Sequence, residues 1–98
     1  MKLPTIKAFV ENLYNKNQFV ITITLNGVKW YIFQSYTSEC AMYNTSKGEL
    51  YLNTKCWLSK TTSKHLYLFI NDYTRLSVHS KKELEELISD KDIKLYAR

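Results

Sequence analysis

Apolar and polar side chains alternate most regularly between Gln18 and Tyr36, in two runs that are joined by Asn26 and Gly27. Asn-Gly favours a two-residue type I′ turn, because both residues tolerate the positive φ that the two central positions of this turn require. The pattern therefore predicts a β-hairpin. A two-residue loop sets its opposite pairs as Leu25 with Val28, Ile23 with Trp30, Ile21 with Ile32, and Phe19 with Gln34.

The two faces of this hairpin differ in composition. The face that carries the four pairs above is mostly aliphatic and includes Trp30, so it is expected to form the core. Threonine, lysine and aromatic residues on the other face are typical of a surface that is solvated or contacts a partner. That face carries the pairs Thr24 with Lys29, Thr22 with Tyr31, and Val20 with Phe33.

Helical spacing of apolar residues occurs near both ends of the chain. In residues 4–16 the spacing is three and four positions, and Pro4 stands where helices often begin. This pattern predicts an N-terminal helix, packed on the aliphatic face of the hairpin, with the stripe Ile6, Phe9, Val10, Leu13 and Tyr14. Ser80 and Glu83 form a capping box, which predicts a short helix with Leu84, Leu87 and Ile88 as its apolar stripe.

Shorter alternating runs predict the remaining strands. A strand is expected over Cys40–Tyr43, and clearer alternation predicts strands at Glu49–Asn53 and Ile93–Tyr96. A second hairpin is predicted from two runs joined by a polar turn, and a polar loop precedes it. The runs are His65–Ile70 and Arg75–His79, the turn is Asn71–Thr74, and the loop is Ser59–Lys64.

These elements predict an α+β fold for one domain that spans residues 1–98. An N-terminal helix packs on a mainly antiparallel sheet of about five to six strands, and a short helix precedes a last, C-terminal strand. The order of the strands is left open by the sequence.

Charge and cysteine content indicate the kind of partner and the cellular compartment of the protein. The net charge of +5 makes an anionic partner plausible. The chain has no apolar run of about 18 residues and no signal-peptide pattern, so we expect a cytoplasmic protein without membrane contact. Its two cysteines, Cys40 and Cys56, are then thiols in a reducing compartment, although the sequence leaves open a disulfide between them.

If the predicted strands form one sheet, their aromatic and basic side chains share its second face. Lysine and arginine bind phosphates, aromatic rings stack on bases, and tyrosine is also enriched in protein interfaces. The alternative is that a helix covers this face and its rings form a second core layer. Together with the lysines between positions 55 and 64, the candidate partner-binding residues are Lys29, Tyr31, Tyr51, Lys55, Trp57, Lys60, Lys64, His65, Tyr67, Arg75 and Tyr96.

Catalytic and metal chemistry has little support in the sequence. Cys40, Cys56, His65 and His79 lack the close ligand pairs of structural zinc sites, so neither a metal nor another cofactor is expected. A cysteine nucleophile with a histidine base would need only proximity in the fold, but no motif supports it. We therefore expect a protein that is not an enzyme.

The resulting expectation is a small binding protein that grips a larger protein or nucleoprotein with an anionic surface. Its concrete form is an inhibitor or modulator of a host nucleic-acid-handling machine. In general character, such a short chain rich in lysine, asparagine and tyrosine resembles phage or mobile-element proteins, with anti-CRISPR proteins as the typical case; no particular motif carries this resemblance.

Two alternatives follow from the same residues. The first is direct binding of single-stranded RNA or DNA by the aromatic and basic face, and the second is a small enzyme that uses cysteine or histidine. The oligomeric state is open, and an edge strand offers one route to a homodimer.

Overall fold

The computed structural model describes residues 6–15, 17–36, 38–54 and 60–96. The fold is α+β, with strands preceding the helices. Its elements in chain order are β1 (Ile6–Asn15), β2 (Gln18–Leu25), β3 (Val28–Ser35), β4 (Ser38–Asn44), β5 (Glu49–Asn53), α1 (Lys60–Tyr73), α2 (Lys81–Ser89) and β6 (Ile93–Tyr96).

The six strands form one sheet in the order β1-β2-β3-β4-β5-β6. Neighbouring strands from β1 to β5 are antiparallel, which short turns permit. β6 runs parallel to β5, and a parallel pair requires a longer crossover connection. Both helices lie in that crossover, so they bring the chain back to the edge of the sheet.

The hairpin of β2 and β3 has the predicted register in every pair, from Leu25 with Val28 to Phe19 with Gln34. Asn26 and Gly27 both have positive φ, at 52° and 80°. The turn chemistry therefore determined the register of β2 and β3, as the sequence indicated.

The predicted N-terminal helix is wrong, because residues 6–15 form strand β1 and pair with β2. Irregularities in the register follow Val10 and Leu13. As a result, Val10 and Leu13 lie opposite Ile21 and Phe19, although they are three positions apart. A β-bulge of this kind places two apolar residues at helical spacing within a strand, which explains that part of the misleading pattern.

The predicted second hairpin is also wrong, because most of that segment belongs to α1. Leu66, Phe69 and Ile70 are buried, and Tyr73 packs against the same core. This spacing of three and four is helical, whereas Leu68, which the alternating pattern placed beside Leu66, is 41% exposed. Of the expected loop, residues 60–64 begin α1 and Ser59 lies outside the described residues.

The segment after α1, which had been predicted as a strand, is held by one side chain instead. The side-chain Nδ2 of Asn71 donates to the Val78 backbone carbonyl, and the side-chain Oδ1 of Asn71 accepts from the Val78 backbone amide, both at 2.8 Å. Val78 itself is fully buried. These two hydrogen bonds replace a β-ladder and fix the direction in which the chain approaches α2.

The second helix begins at the predicted capping box. Ser80 is its N-cap, and the Ser80 Oγ accepts from the Glu83 amide at 3.2 Å. The Glu83 carboxylate accepts from the amide of His79, one residue before the cap, at 2.8 Å. Local hydrogen bonds thus start α2 where the sequence placed it.

Removal of this cap should have a measurable cost. We expect Ser80→Ala to lower the free energy of unfolding by about 1 kcal/mol, because an amide in the first turn of α2 loses its acceptor. Ser46→Ala, at an exposed serine in the turn between β4 and β5, is the control and should have almost no effect. Equal losses for both variants in chemical denaturation would contradict this role for Ser80.

One face of the sheet is covered by the helices and contains the core. We call it the helix-covered face. The buried cluster joins strand residues with residues of both helices, and its members include Val20, Phe33, Ala41, Tyr43, Leu50, Leu52, Leu66, Phe69, Leu84 and Ile93. The rings of Phe33 and Phe69 stack with their centroids 5.7 Å apart.

The assignment of faces from the sequence is therefore reversed. Val20 and Phe33, expected to point outward, are fully buried, whereas Ile21, Ile23 and Ile32 are half-buried. The helix-covered face had the appearance of a solvated one because it carries Gln18, Thr22 and Ser35, all buried. Gln18 donates its side-chain amide to the Ser35 hydroxyl at 3.1 Å, so these two polar side chains are hydrogen-bonded to each other inside the protein.

Candidate interaction surface on the open face of the sheet

The opposite side of the sheet, which we call the open face, is rich in apolar side chains. Alternation along β2 to β5 places them opposite the buried residues of the helix-covered face. Within the part of the chain that the structure describes, both helices pack on the other side. The half-buried members of the open face are Phe19, Ile21, Ile23, Leu25, Val28, Trp30, Ile32, Met42 and Tyr51.

Two aromatic rings meet across β4 on the open face. The Trp30 and Tyr51 rings have centroids 6.2 Å apart and are tilted by 39°. Met42 pairs with both Ile32 and Tyr51, so it lies between β3 and β5. The three strands thereby bring a tryptophan, a tyrosine and a methionine into one patch.

A small polar network borders this patch. The Tyr51 hydroxyl donates to the Glu49 carboxylate at 2.6 Å, and the Lys94 ammonium lies 3.3 Å from the same carboxylate. Lys94 also lies 5.8 Å from the centroid of the Tyr51 ring. β6 supplies this lysine because its parallel pairing sets Lys94 beside Tyr51.

The network shifts two pKa values in opposite directions. Hydrogen bonding from the Tyr51 hydroxyl, followed by the contact with Lys94, lowers the pKa of Glu49 below its ordinary value. The Tyr51 pKa is raised, mainly because its hydroxyl already donates to the Glu49 carboxylate. Glu49 contributes stability above its unfolded pKa and loses it as pH falls, whereas Tyr51 contributes below its unfolded pKa and loses it as pH rises.

Charge removal at Glu49 tests this network. In Glu49→Gln we expect the Tyr51 pKa to fall toward the ordinary tyrosine value of about 10, because a neutral amide holds the phenolic proton less strongly than a carboxylate does. The measurement is a titration of the tyrosine rings by NMR, with Tyr51 assigned by a Tyr51→Phe variant. Glu39→Gln is the control, and a Tyr51 pKa that is ordinary in the native protein would contradict the network.

The candidate residues from the sequence do not form one strip. Tyr51 alternates with buried residues and falls on the open face, and the pairing of β6 with β5 places Tyr96 on the same face. Lys29 and Tyr31 fall on the helix-covered face. Tyr31 meets the Tyr73 ring edge-on at 5.1 Å, so α1 partly covers it. The aromatic residues expected to form a free surface are thus divided between the two sides of the sheet.

Apart from Arg75, the other candidates lie on α1 or outside the described residues. Lys64 is exposed on α1, and His65 and Tyr67 are half-buried there. Lys60 is the first residue of α1. Lys55 and Trp57, together with Cys56, lie outside the described residues, whereas Cys40 is buried and donates its thiol to the Ser38 carbonyl at 3.6 Å.

Three exposed cations gather where two turns of the sheet meet. Thr45 donates its amide and its hydroxyl to the Lys29 carbonyl, which holds the turn from β4 to β5 beside the start of β3. Arg75 donates its Nε to the Gly48 carbonyl of that turn at 3.1 Å. We call this cluster the basic end; it consists of Lys29, Lys47 and Arg75.

Sequence reasoning missed Trp30, Ile32 and Met42 as surface residues and did not name Lys94 among the candidate residues. The alternation that identified the first two as one face was correct, but it carries no information on which face a helix covers. Met42 and Lys94 join the patch only through pairing of β4 and β6 with β5, which depends on the whole topology.

The described part of the chain contains neither a metal-ligand cluster nor a membrane-spanning helix. Among those residues no group of three or more histidine, cysteine, aspartate or glutamate side chains is placed to hold a metal ion. No described helix is long and apolar enough to cross a membrane.

Comparison with protein families finds a match to a model described as a Family of unknown function (DUF8033), over residues 1–86. This match includes β1 to β5, α1 and most of α2. Comparisons with curated proteins and with solved structures find no match.

Proposed function

The chain belongs to this family of unknown function, and from the geometry of its sheet we propose that it is a non-enzymatic protein that binds another protein through the open face. The observation that carries the proposal is an apolar sheet face that neither described helix covers. Monomeric proteins seldom expose a contiguous apolar patch of more than a few hundred Å² unless it has a binding role.

The size of the open face supports this proposal. Six strands at a spacing of about 4.8 Å are about 24 Å wide, and strands of eight residues are about 27 Å long. Because β4 to β6 are shorter, the face measures about 500 to 650 Å² in projection. A standard protein interface buries about 800 Å² of accessible surface on each partner, which is similar in scale.

The composition of the open face supports a protein partner more than an anionic polymer. Aromatic residues and methionine are enriched in interface cores, where charged residues are depleted, and tryptophan and tyrosine frequently dominate binding energy. Trp30, Met42 and Tyr51 occupy such a position among the isoleucines of β2 and β3. Obstruction of a larger nucleic-acid-handling enzyme, the role expected from size and charge, would require a protein-docking surface of this kind.

A second candidate function is binding of single-stranded nucleic acid at the basic end. The supporting observation is that Lys29 lies 5.3 Å from the Tyr31 ring centroid while Arg75 is held nearby by Gly48. A cation beside a half-buried ring is a common element of single-strand binding sites. Such binding would weaken steeply with added salt and would depend on Lys29 and Arg75 rather than on the open face.

Affinity capture followed by reconstitution distinguishes these functions. The native chain and the variants Ile23→Glu and Leu68→Glu serve as baits, and every captured protein is purified and tested again without nucleic acid. The proposal predicts a direct complex that Ile23→Glu weakens by at least about 100-fold, because a carboxylate is buried without a partner. Leu68→Glu, at an exposed apolar residue of α1, should bind as the native chain does.

The contradicting result is binding that resists Ile23→Glu but is lost on nuclease treatment. Affinity for a labelled oligonucleotide that falls with salt, and is lost in a Lys29→Gln, Arg75→Gln double variant, would then establish the second candidate.

A further inference from the structure

We propose that the protein partner which covers the open face is a second copy of this chain, so that two sheets pack face to face as a β-sandwich. The inference rests on the proposed function, since it names the partner of the same surface. Its basis is the shape, area and charge of the open face.

The open face has the side-chain pattern of one half of a sandwich core. Two packed sheets lie about 10 Å apart, and their inward side chains interdigitate when strands are aligned within about 30°. Ile21, Ile23, Val28 and Ile32 project from two adjacent strands in paired register, which provides ridges of branched side chains along the face. The helix-covered face already supplies one core, so a second sheet would complete a second apolar layer.

The projected area of the open face is compatible with a specific dimer interface. Two copies of a face of about 500 to 650 Å² contribute about 1,000 to 1,300 Å², at the lower limit of the range for specific interfaces. Because side chains add surface beyond the flat projection, the buried accessible area would be larger. A two-fold arrangement needs only one self-complementary patch, which is the commonest form of association between identical chains.

Charge disfavours an anionic partner for the open face and leaves only weak repulsion between two copies of it. Of the described side chains, alternation and register place Glu39, Glu49 and Lys94 on the open face, so two carboxylates face one ammonium. These three described side chains thus give the open face about one net negative charge, although the whole chain has a net charge of +5. Two such faces can approach without opposing the lysines that dominate the rest of the molecule.

Sedimentation equilibrium of the full chain tests the inference. The expected result is a concentration-dependent rise in mass from one chain of 11.6 kDa to two chains. Ile23→Glu and Ile32→Glu should weaken the dimer by about 100-fold or more, because each would bury two unpaired carboxylates across the two-fold axis. Leu68→Glu should dimerise as the native chain does, and circular dichroism should show that all three variants keep their fold.

Three results would overturn the second-copy inference. The first is a native chain that stays monomeric at every accessible concentration. The second is a dimer that persists in both isoleucine variants, which would place the contact elsewhere, such as at an edge strand. The third is a dimer that Leu68→Glu disrupts and Ile23→Glu does not.

The same variants separate failure of this inference from failure of the proposed function. A monomeric native chain that binds a different purified protein, with binding lost in Ile23→Glu, overturns the second copy and supports open-face docking. An Ile23→Glu variant that keeps both its dimer and its partner overturns both proposals.

Discussion

Replacement of Val20 with aspartate is expected to abolish cooperative folding, whereas the same replacement at Ile21, the next residue of β2, should leave a folded protein. Val20 is fully buried on the helix-covered face, opposite Phe33. An unpaired carboxylate there would cost several kcal/mol, which approaches the whole stability of about 5 to 15 kcal/mol of an ordinary domain.

Ile21 lies on the open face, where an aspartate side chain can keep its hydration in the monomer. We expect Ile21→Asp to lower the free energy of unfolding by about 1 to 2 kcal/mol, from lost apolar burial and the low strand propensity of aspartate. Urea denaturation at low micromolar concentration, followed by far-ultraviolet circular dichroism, provides the comparison. A stable Val20→Asp protein beside an unfolded Ile21→Asp protein would show that the two faces have been assigned the wrong way round.

The second large effect is expected at Phe33. This residue is fully buried, and its ring stacks on Phe69 of α1 at a centroid distance of 5.7 Å. Phe33→Ala should lower the free energy of unfolding by about 3 to 5 kcal/mol, because the substitution removes the packed ring and leaves a cavity between the sheet and the helix.

The neighbouring residue Ile32 provides the matched control for Phe33. It lies half-buried on the open face, so Ile32→Ala should cost only about 1 kcal/mol in the monomer. Both variants are compared with the native chain by urea denaturation at low micromolar concentration. If the two substitutions have equal effects, α1 does not rest on the face that carries Phe33.

The elements that could be predicted from the sequence are those determined by local interactions. The Asn26-Gly27 turn sets the register of β2 and β3, and the Ser80 cap sets the start of α2. Simple alternation was also sufficient for β5 and β6, whose observed bounds are the predicted ones. The sheet contains six strands and is mainly antiparallel, within the predicted range.

The elements that could not be predicted depend on contacts between distant residues. In β1, a bulge opposite β2 places Val10 and Leu13 at helical spacing. In α1, the positions of Leu66 and Ile70 satisfy both a period of two and a helical period, and only packing of Phe69 on the sheet selects the helix.

The candidate site also has one part that local patterns predict and one part that depends on contacts between distant residues. The sequence grouped Ile21, Ile23, Trp30 and Ile32 on one face correctly, since that grouping follows from the hairpin register. It assigned them to the core because aliphatic faces are usually covered. The position of α1 reverses this assignment, and buried Thr22 and Gln18 show that a polar pattern does not by itself identify a surface.

The most direct test of an accessible open face is hydroxyl-radical footprinting of the native chain, read residue by residue by mass spectrometry. Tyr51 and Tyr43 provide a matched pair, because Tyr51 is half-buried on the open face and Tyr43 is buried beneath the helices. In dilute protein, the account predicts rapid modification of Trp30, Met42 and Tyr51 and protection of Tyr43. Protection of the first three should increase as the concentration of the chain is raised and two copies associate. Rapid modification of Tyr43, together with protection of Trp30, Met42 and Tyr51 at every dilution, would contradict it.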